Sequence, residues 1–419
     1  MARYRLLPGH GGFELATEEA GVARDRSGSV GEVFRAFLLL GVTSFGGPVA
    51  HIGYFRDAFV VRRNWIGDAA YADLVALCQF LPGPASSQVG MAIGLQRAGY
   101  AGLLAAWAAF TLPSALLLVA FAWGASAFGA DMGGGWIAGL KAAAVGVVAH
   151  AVLGMASTLT PDKERATLAV LAMAIALLAP SAPGQVLAIA VGGVIGLVWL
   201  KPSMPQIGRH EAFAVPVSRG AGACFLVVFG ILLVALPLLA ASIDNPVLAM
   251  IDSFYRAGSL VFGGGHVVLP LLQAEVVVPG HVGEQAFLAG YGAAQAVPGP
   301  LFSFAAYLGS VYQPPPTGLA GAAIALVAIY VPSTLLVIGA LPFWEKLRTA
   351  APARKAMLGV NASVVGLLAA ALYDPVFTAG VTSPLTMVIA AASFVALAVW
   401  KAPAWAVVVA AGLAGFLLL

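Results

Sequence analysis

The chain has 419 residues, of which 61% are hydrophobic and only 9% charged, with a mean hydropathy of +0.94; a soluble domain carries roughly 25% charged residues. That balance excludes a soluble globular protein, and a formal net charge of +3 with no run of Lys or Arg gives no footing for nucleic acid. Long apolar runs separated by short polar loops, in place of alternating segments of about 10 residues, predict an all-α polytopic membrane protein whose partners are the lipid bilayer and a small solute.

Residues 1–30 carry Arg3, Arg5, Arg24 and Arg26 but no apolar core of signal-peptide length, and read as a cytoplasmic tail. The run from Val33 to Val61 is broken at Gly46-Gly47-Pro48 and ends in a polar cluster of Arg56, Asp57, Arg62, Arg63 and Asn64. The next run, Ala69 to Gln96, is broken at Pro82-Gly83-Pro84. Plainer spans follow near 100–125, 136–157, 165–180 and 184–200, each close to the ~20 residues that a bilayer crossing needs. Pro113 is expected to kink the first of them. Residues 201–245 hold a polar, proline-rich loop from Lys201 to Arg219 and a further span near 222–241. The pattern then restarts with broken runs at 252–278 and 285–312, followed by spans near 318–340, 354–373, 383–399 and 403–419. The expected organisation is therefore a tail (1–30), a first transmembrane repeat (31–200), a linker loop with an inverting helix (201–245) and a second repeat (246–419). Cys78 and Cys224 both lie in apolar segments, far apart in sequence, and read as packing residues with no disulfide.

The two halves keep a nearly constant register: Phe45 matches Phe262, Pro82 matches Pro298, Pro113-Ser114 matches Pro332-Ser333 and Gly146 matches Gly366. Internal duplication of this kind is a transporter habit. If every run simply crosses the membrane, the loop with Arg56, Arg62 and Arg63 falls outside, against the positive-inside rule. The conflict disappears if each broken run is a re-entrant hairpin. All basic loops then face the cytoplasm, and the second pair of hairpins enters from outside, inverted by the span near 222–241.

A proline suits the first position of a helix, so Pro48 and Pro84 are natural helix starts with free N–H groups and the positive end of a helix dipole. Such irregular backbone is tolerated at membrane depth only when buried in protein or lining a polar cavity. The breaks therefore define a candidate anion site. Its candidate residues are Gly46, Gly47, Pro48, Gln79, Pro82, Gly83, Pro84, Ser86, Ser87 and Gln88 in the first half. Those of the second are Gly263, Gly264, Gly265, His266, Gln295, Pro298, Gly299, Pro300 and Ser303. A Gly-Pro break can equally serve as a kink, and Ser86 and Ser87 can bond back to a helix carbonyl. His51, Arg56 and Asp57 are candidates for access or coupling, although Arg56 and Asp57 can also pair at the surface and a histidine beside a break can cap its carbonyls. Arg35, Asp73, Lys141 and Arg256 are ionisable neighbours of apolar runs, for which snorkelling from a helix end and a role in the pathway both stand.

Nothing in the chain carries enzyme chemistry: no phosphate-binding lysine loop, no His-Glu-x-x-His, no Cys/His cluster with metal spacing. No cofactor and no metal are expected. Phe45-Gly46-Gly47-Pro48, Tyr54 to Asp57 with Trp65, Leu77 to Pro84 with Ser86-Ser87-Gln88-Val89, and Thr111-Leu112-Pro113-Ser114 resemble the first half of the long-chain chromate ion transporters. Phe262 to Leu271, Gln295 to Pro300 and Leu341-Pro342-Phe343-Trp344-Glu345 resemble the second. The resemblance implies proton-driven export of chromate across the bacterial inner membrane, with chromate resistance as the outcome and sulfate as the natural competitor. A sulfate or related oxyanion importer or channel is the alternative, and a membrane scaffold or sensor a remote one. A homodimer is compatible with the sequence. Phe302 and Phe304 stand where the first copy has Ser86 and Gln88, so the first hairpin is expected to hold more of the oxyanion.

Overall fold

The computed structural model describes residues 28–128, 134–201, 213, 217–262 and 265–419. The expected tail lies almost wholly outside these residues, as do Gly263 and Gly264. Every regular element among the described residues is helical.

The first half opens with α1 (Val30–Thr43), capped by Ser29, whose hydroxyl accepts the Glu32 N–H at 3.1 Å. After the first break come α2 (Gly47–Phe55), continued by a π-helical run Arg56–Arg62, and α3 (Asp68–Phe80). After the second break comes α4 (Ala85–Phe128), in which Ala98 and Gly99 leave helical geometry. The arms on either side of that turn fold back on each other: a side chain on Gly94 would strike the Gly102 carbonyl, and one on Gly102 the Gly94 carbonyl. Backbone geometry stays helical through Pro113, so the sharp turn of this segment falls at Ala98-Gly99 and not at the proline. Helices α5 (Gly135–Leu159), α6 (Lys163–Leu178) and α7 (Ala182–Trp199) complete the half. A single exposed helix, α8 (Arg219–Ser242), leads to the second half.

There α9 (Pro246–Ser259) is followed by a run of 3-10 (Gly265–Val267), α (α10, Val268–Leu272) and π (Gln273–Val277) geometry, and then by α11 (Glu284–Ala296). After the Pro298–Pro300 break come a 3-10 turn (Leu301–Ser303), α12 (Phe304–Val311) and α13 (Gly318–Ala340). The chain ends with α14 (Trp344–Thr349), α15 (Ala351–Ala371), α16 (Thr378–Gly380), α17 (Pro384–Ala398) and α18 (Ala404–Leu418).

Each broken run returns to the end it started from. At the close of the second hairpin Arg97 pairs with Glu32 of α1 at 3.2 Å, and the Gly28 N–H bonds the Arg97 carbonyl at 3.0 Å. Between the hairpins, the Trp65 ring lies 5.0 Å from the Arg97 guanidinium and 5.9 Å from that of Arg63. These residues form one mouth. In the second half Arg256 of α9 meets Glu275 at 2.6 Å, and His281 stacks on Tyr312 at 4.5 Å, which gathers the ends of the other hairpin pair into a second mouth.

The two mouths lie at opposite ends of the molecule. From the second mouth α13 runs past Gly83 at Ser333 and leads to Trp344, whose indole donates to Asp73 of α3 at 2.9 Å. From the first mouth α4 runs past Gly299 at Ser114 to Phe121, whose ring lies 5.9 Å from that of Tyr307 in α12. At 1.5 Å per residue the 23 residues of α13 span about 34 Å, enough for a ~30 Å hydrocarbon core.

The remaining helices are exchanged between halves. Helix α5 packs against α17 and α18, while its counterpart α15 packs against α6 and α7. Small residues allow the close approach. A side chain on Gly146 would sit 2.9 Å from the Ala390 carbonyl, and one on Gly366 would strike that of Ala169. The largest apolar core accordingly joins residues 115–148 to residues 250–411. Both cysteines are free, as expected, but only Cys78 is a packing residue; Cys224 is exposed on α8.

Candidate functional site

The tips of the hairpins are bonded crosswise between halves. The N–H of Gly83 donates to the Val261 carbonyl at 2.6 Å, and in the matched contact the N–H of Gly299 donates to the Ser44 carbonyl at 2.9 Å. Glycine is required at both tips because the backbone takes φ of 122° at Gly83 and 98° at Gly299. Each also faces a serine that follows a helix proline: a side chain on Gly83 would strike the Ser333 hydroxyl, and one on Gly299 would lie 3.0 Å from that of Ser114. Pro48 touches the opposite break, since a side chain on Gly265 would lie 3.0 Å from the Pro48 ring.

Around this junction is a strip of buried polar groups. His51 is fully buried, with Nε2 3.2 Å from the Ser44 carbonyl and Nδ1 3.4 Å from the Ser86 hydroxyl. A carbonyl can only accept, so Nε2 carries the proton and Nδ1 is left to accept from Ser86. Ser87 and the Tyr330 hydroxyl lie 3.5 Å apart, and Gln88 Nε2 donates to the Pro82 carbonyl at 2.7 Å. Ser303 of the second half and Ser114 of the first bond carbonyls of their own turns, Pro300 at 2.8 Å and Thr111 at 2.9 Å. His266 Nδ1 meets the Tyr291 hydroxyl at 3.0 Å. Buried polar atoms without a partner also collect here: Ser44 Oγ, Gln88 Oε1, Thr111 Oγ1, Ser333 Oγ and Gln295 Nε2. Buried polar groups are ordinarily hydrogen-bonded, so a group of unpartnered atoms at one junction marks a place for water or a polar ligand.

Not every sequence candidate joins the junction. Gln79 is exposed, whereas its counterpart Gln295 is half-buried. Arg56 and Asp57 lie outward along the first hairpin and do not pair with each other; Arg56 bonds Asp68 at 2.7 Å and Asp57 pairs with Arg62. Ser44, Thr111 and Tyr330 were not among the sequence candidates. Ser114 and Ser333 set the repeat register there, and Ser114 closed a family motif, but neither was named for the site, although a matched serine after a matched proline was a usable signal. The first mouth contains a surface cleft of about 380 Å3 lined by Ser29, Gly31, Glu32, Arg35, Ala36 and Arg63, well away from the tips.

The junction offers hydroxyls, an imidazole, amides and helix starts, and none of the junction residues named above is a carboxylate. That is chemistry for cradling a compact anion. Among the described residues no three His, Cys, Asp or Glu side chains are grouped to hold a metal ion.

Among the described residues, six apolar helices long enough to cross a bilayer, with broken helices meeting between two matched halves, define a multi-pass membrane protein of the transporter class. The chain belongs to the chromate transporter family, whose model matches residues 31–197 and again 248–416. It is 30% identical over 399 residues to the chromate transport protein of Pseudomonas aeruginosa, covering 92% of each chain. Identity to the chromate transport protein of Cupriavidus metallidurans is 28% over 344 residues, with 80% of each covered. The probable chromate transport protein of Synechococcus elongatus is 26% identical over 371 residues, 82% of this chain and 84% of that one. No solved structure matches the chain.

Proposed function

We propose that the protein exports chromate from the cytoplasm in exchange for protons and so confers chromate resistance, with the four hairpin tips as the anion site. The observation that carries this reading is the crosswise tip junction, where Gly83 bonds Val261, Gly299 bonds Ser44, and buried hydroxyls around them lack partners. Pro48 and Pro84 start helices there, and Ser86, Ser87 and Gln88 supply side-chain donors that Phe302 and Phe304 cannot match. The two repeats divide at the linker and inverting helix over 201–245.

Orientation follows from charge. The first mouth carries Arg35, Arg56, Arg62, Arg63 and Arg97, and the positive-inside rule places it, with the N-terminus, on the cytoplasmic side of a bacterial inner membrane. The second mouth, with Glu275, His281 and Glu284, then faces outward. A basic mouth draws anions from the cytoplasm toward the tips.

Purified protein in liposomes should accumulate chromate against a concentration gradient when a proton gradient is imposed, and sulfate should compete. Flux indifferent to the proton gradient would sink the exchange reading, and flux in the opposite sense would make the protein an importer.

A further inference from the structure

The second mouth holds a charged cluster that the tip site does not use. One nitrogen of Arg256 contacts both Asp252 Oδ2 at 3.0 Å and Glu275 Oε2 at 2.6 Å. Asp252 and Glu275 are each only 5% exposed. Two carboxylates against one guanidinium leave one excess negative charge in a buried place, a costly arrangement unless something balances it. The Oδ1 of Asp252 and the Nε of Arg256 have no hydrogen-bond partner. Beside both acids and Ser253 stands the hydroxyl of Tyr312, a residue with no exposure at all. A single proton on either carboxyl would cancel the excess charge.

The cluster also connects to water. The Tyr312 ring is stacked on His281, whose Nδ1 lies 2.8 Å from the Gln313 carbonyl on the loop at the mouth. The groups facing the acids are thus Arg256 and Ser253 from α9, Tyr312 from the loop before α13, and His281 behind the tyrosine. In the first half the matched positions are Arg35, Leu39 and Ala58, so the repeat symmetry is broken and the molecule has this site once.

We infer that Asp252 and Glu275, bridged by Arg256, are the proton-binding site that couples anion movement to the proton gradient. The inference rests on the proton-exchange reading above and adds the residues that carry the proton. A carboxylate takes the proton from water at the second mouth, loosening its ion pair with Arg256, and gives it up toward the tips and the first mouth when that pair re-forms, so that one proton crosses inward as the anion crosses outward.

The test compares wild type, Glu275→Gln, Asp252→Asn and Glu275→Asp as full-length protein in liposomes, by chromate accumulation under an imposed proton gradient and by chromate self-exchange without one. Wild type should show both. The Gln and Asn variants should lose accumulation yet retain self-exchange, which needs no net proton movement, and Glu275→Asp should retain both with a displaced pH profile. Accumulation undiminished in the Gln and Asn variants overturns the assignment, and so does loss of self-exchange together with accumulation, which would mark a structural role. Should Glu275→Gln not fold, Asp252→Asn, which leaves a one-to-one Arg256–Glu275 pair, decides by the same readouts. A wild type indifferent to the gradient would instead overturn the exchange reading itself.

Discussion

Gly83 is the residue at which backbone, packing and candidate chemistry meet. Replacing it with alanine would place a side chain at a φ of 122°, against the Ser333 hydroxyl and 2.7 Å from Gln88 Nε2. Backbone strain of this kind costs about 1–3 kcal/mol. Gly83→Ala is therefore expected to lower the melting temperature of the purified protein and to abolish chromate flux. Ser87→Ala should be milder. A hydrogen bond to a charged group contributes about 1.5–3 kcal/mol, so its loss is expected to weaken chromate affinity about tenfold or more, read from the concentration dependence of flux. The tips were legible in the sequence because Gly and Pro dictate local backbone geometry whatever surrounds them. Tyr330 was not, because one tyrosine in an apolar helix gives no sign of which neighbour its hydroxyl meets. Gln79 and Gln295 teach the same lesson. They match in sequence, yet only α11 is covered by α5, with Gly292 seated against Leu140, and only Gln295 is half-buried.

At the scale of elements, the return of each hairpin to its own mouth has a direct check. With Cys78 and Cys224 replaced, Arg62→Cys should be labelled by an impermeant thiol reagent from the cytoplasmic side and Glu284→Cys from the outside. Labelling of both from one side would remove the inversion. The hairpins were foreseeable because lysine and arginine report the side on which a loop sits, independently of packing. Helix caps behave more simply. Asp162 accepts the Arg165 N–H at 2.9 Å at the start of α6, and its side chain also bonds the Arg165 guanidinium, which holds the Asp162 carboxyl below its ordinary range. A lowered carboxyl contributes stability that is present above its unfolded pKa and is lost as pH falls through its folded value. Asp162→Ala should thus cost about 1 kcal/mol of stability at neutral pH, typical of a lost cap. In acid, thermal melting of the variant and wild type should converge.

For the whole molecule, the exchange of α5 and α15 decides how the halves depend on each other. Each half leaves the small-residue face of one helix, α5 or α15, to be covered by the last two helices of the other. Produced alone, either half should fail to give a monodisperse protein in detergent. Produced together as two chains cut between residues 201 and 217, they should assemble and transport; independent folding of one half would contradict the interlock. This exchange was not legible beforehand. The glycines that allow it, Gly146 and Gly366, were visible as a matched pair, but nothing local to either states which distant carbonyl it will meet.

The crosswise tip bonds carry one more consequence. Halves that clasp each other through α5 and α15 have little freedom to rock apart, so in the proposed transport cycle alternating access is left to the tips. There each half is latched to the other by one amide-to-carbonyl bond, a contact worth only about 1 kcal/mol net. Gly83 to Val261 and Gly299 to Ser44 are thus a pair of weak latches around one pathway, related by the repeat and hence close in strength. Opening one while the other stays shut would expose the pathway to a single mouth at a time.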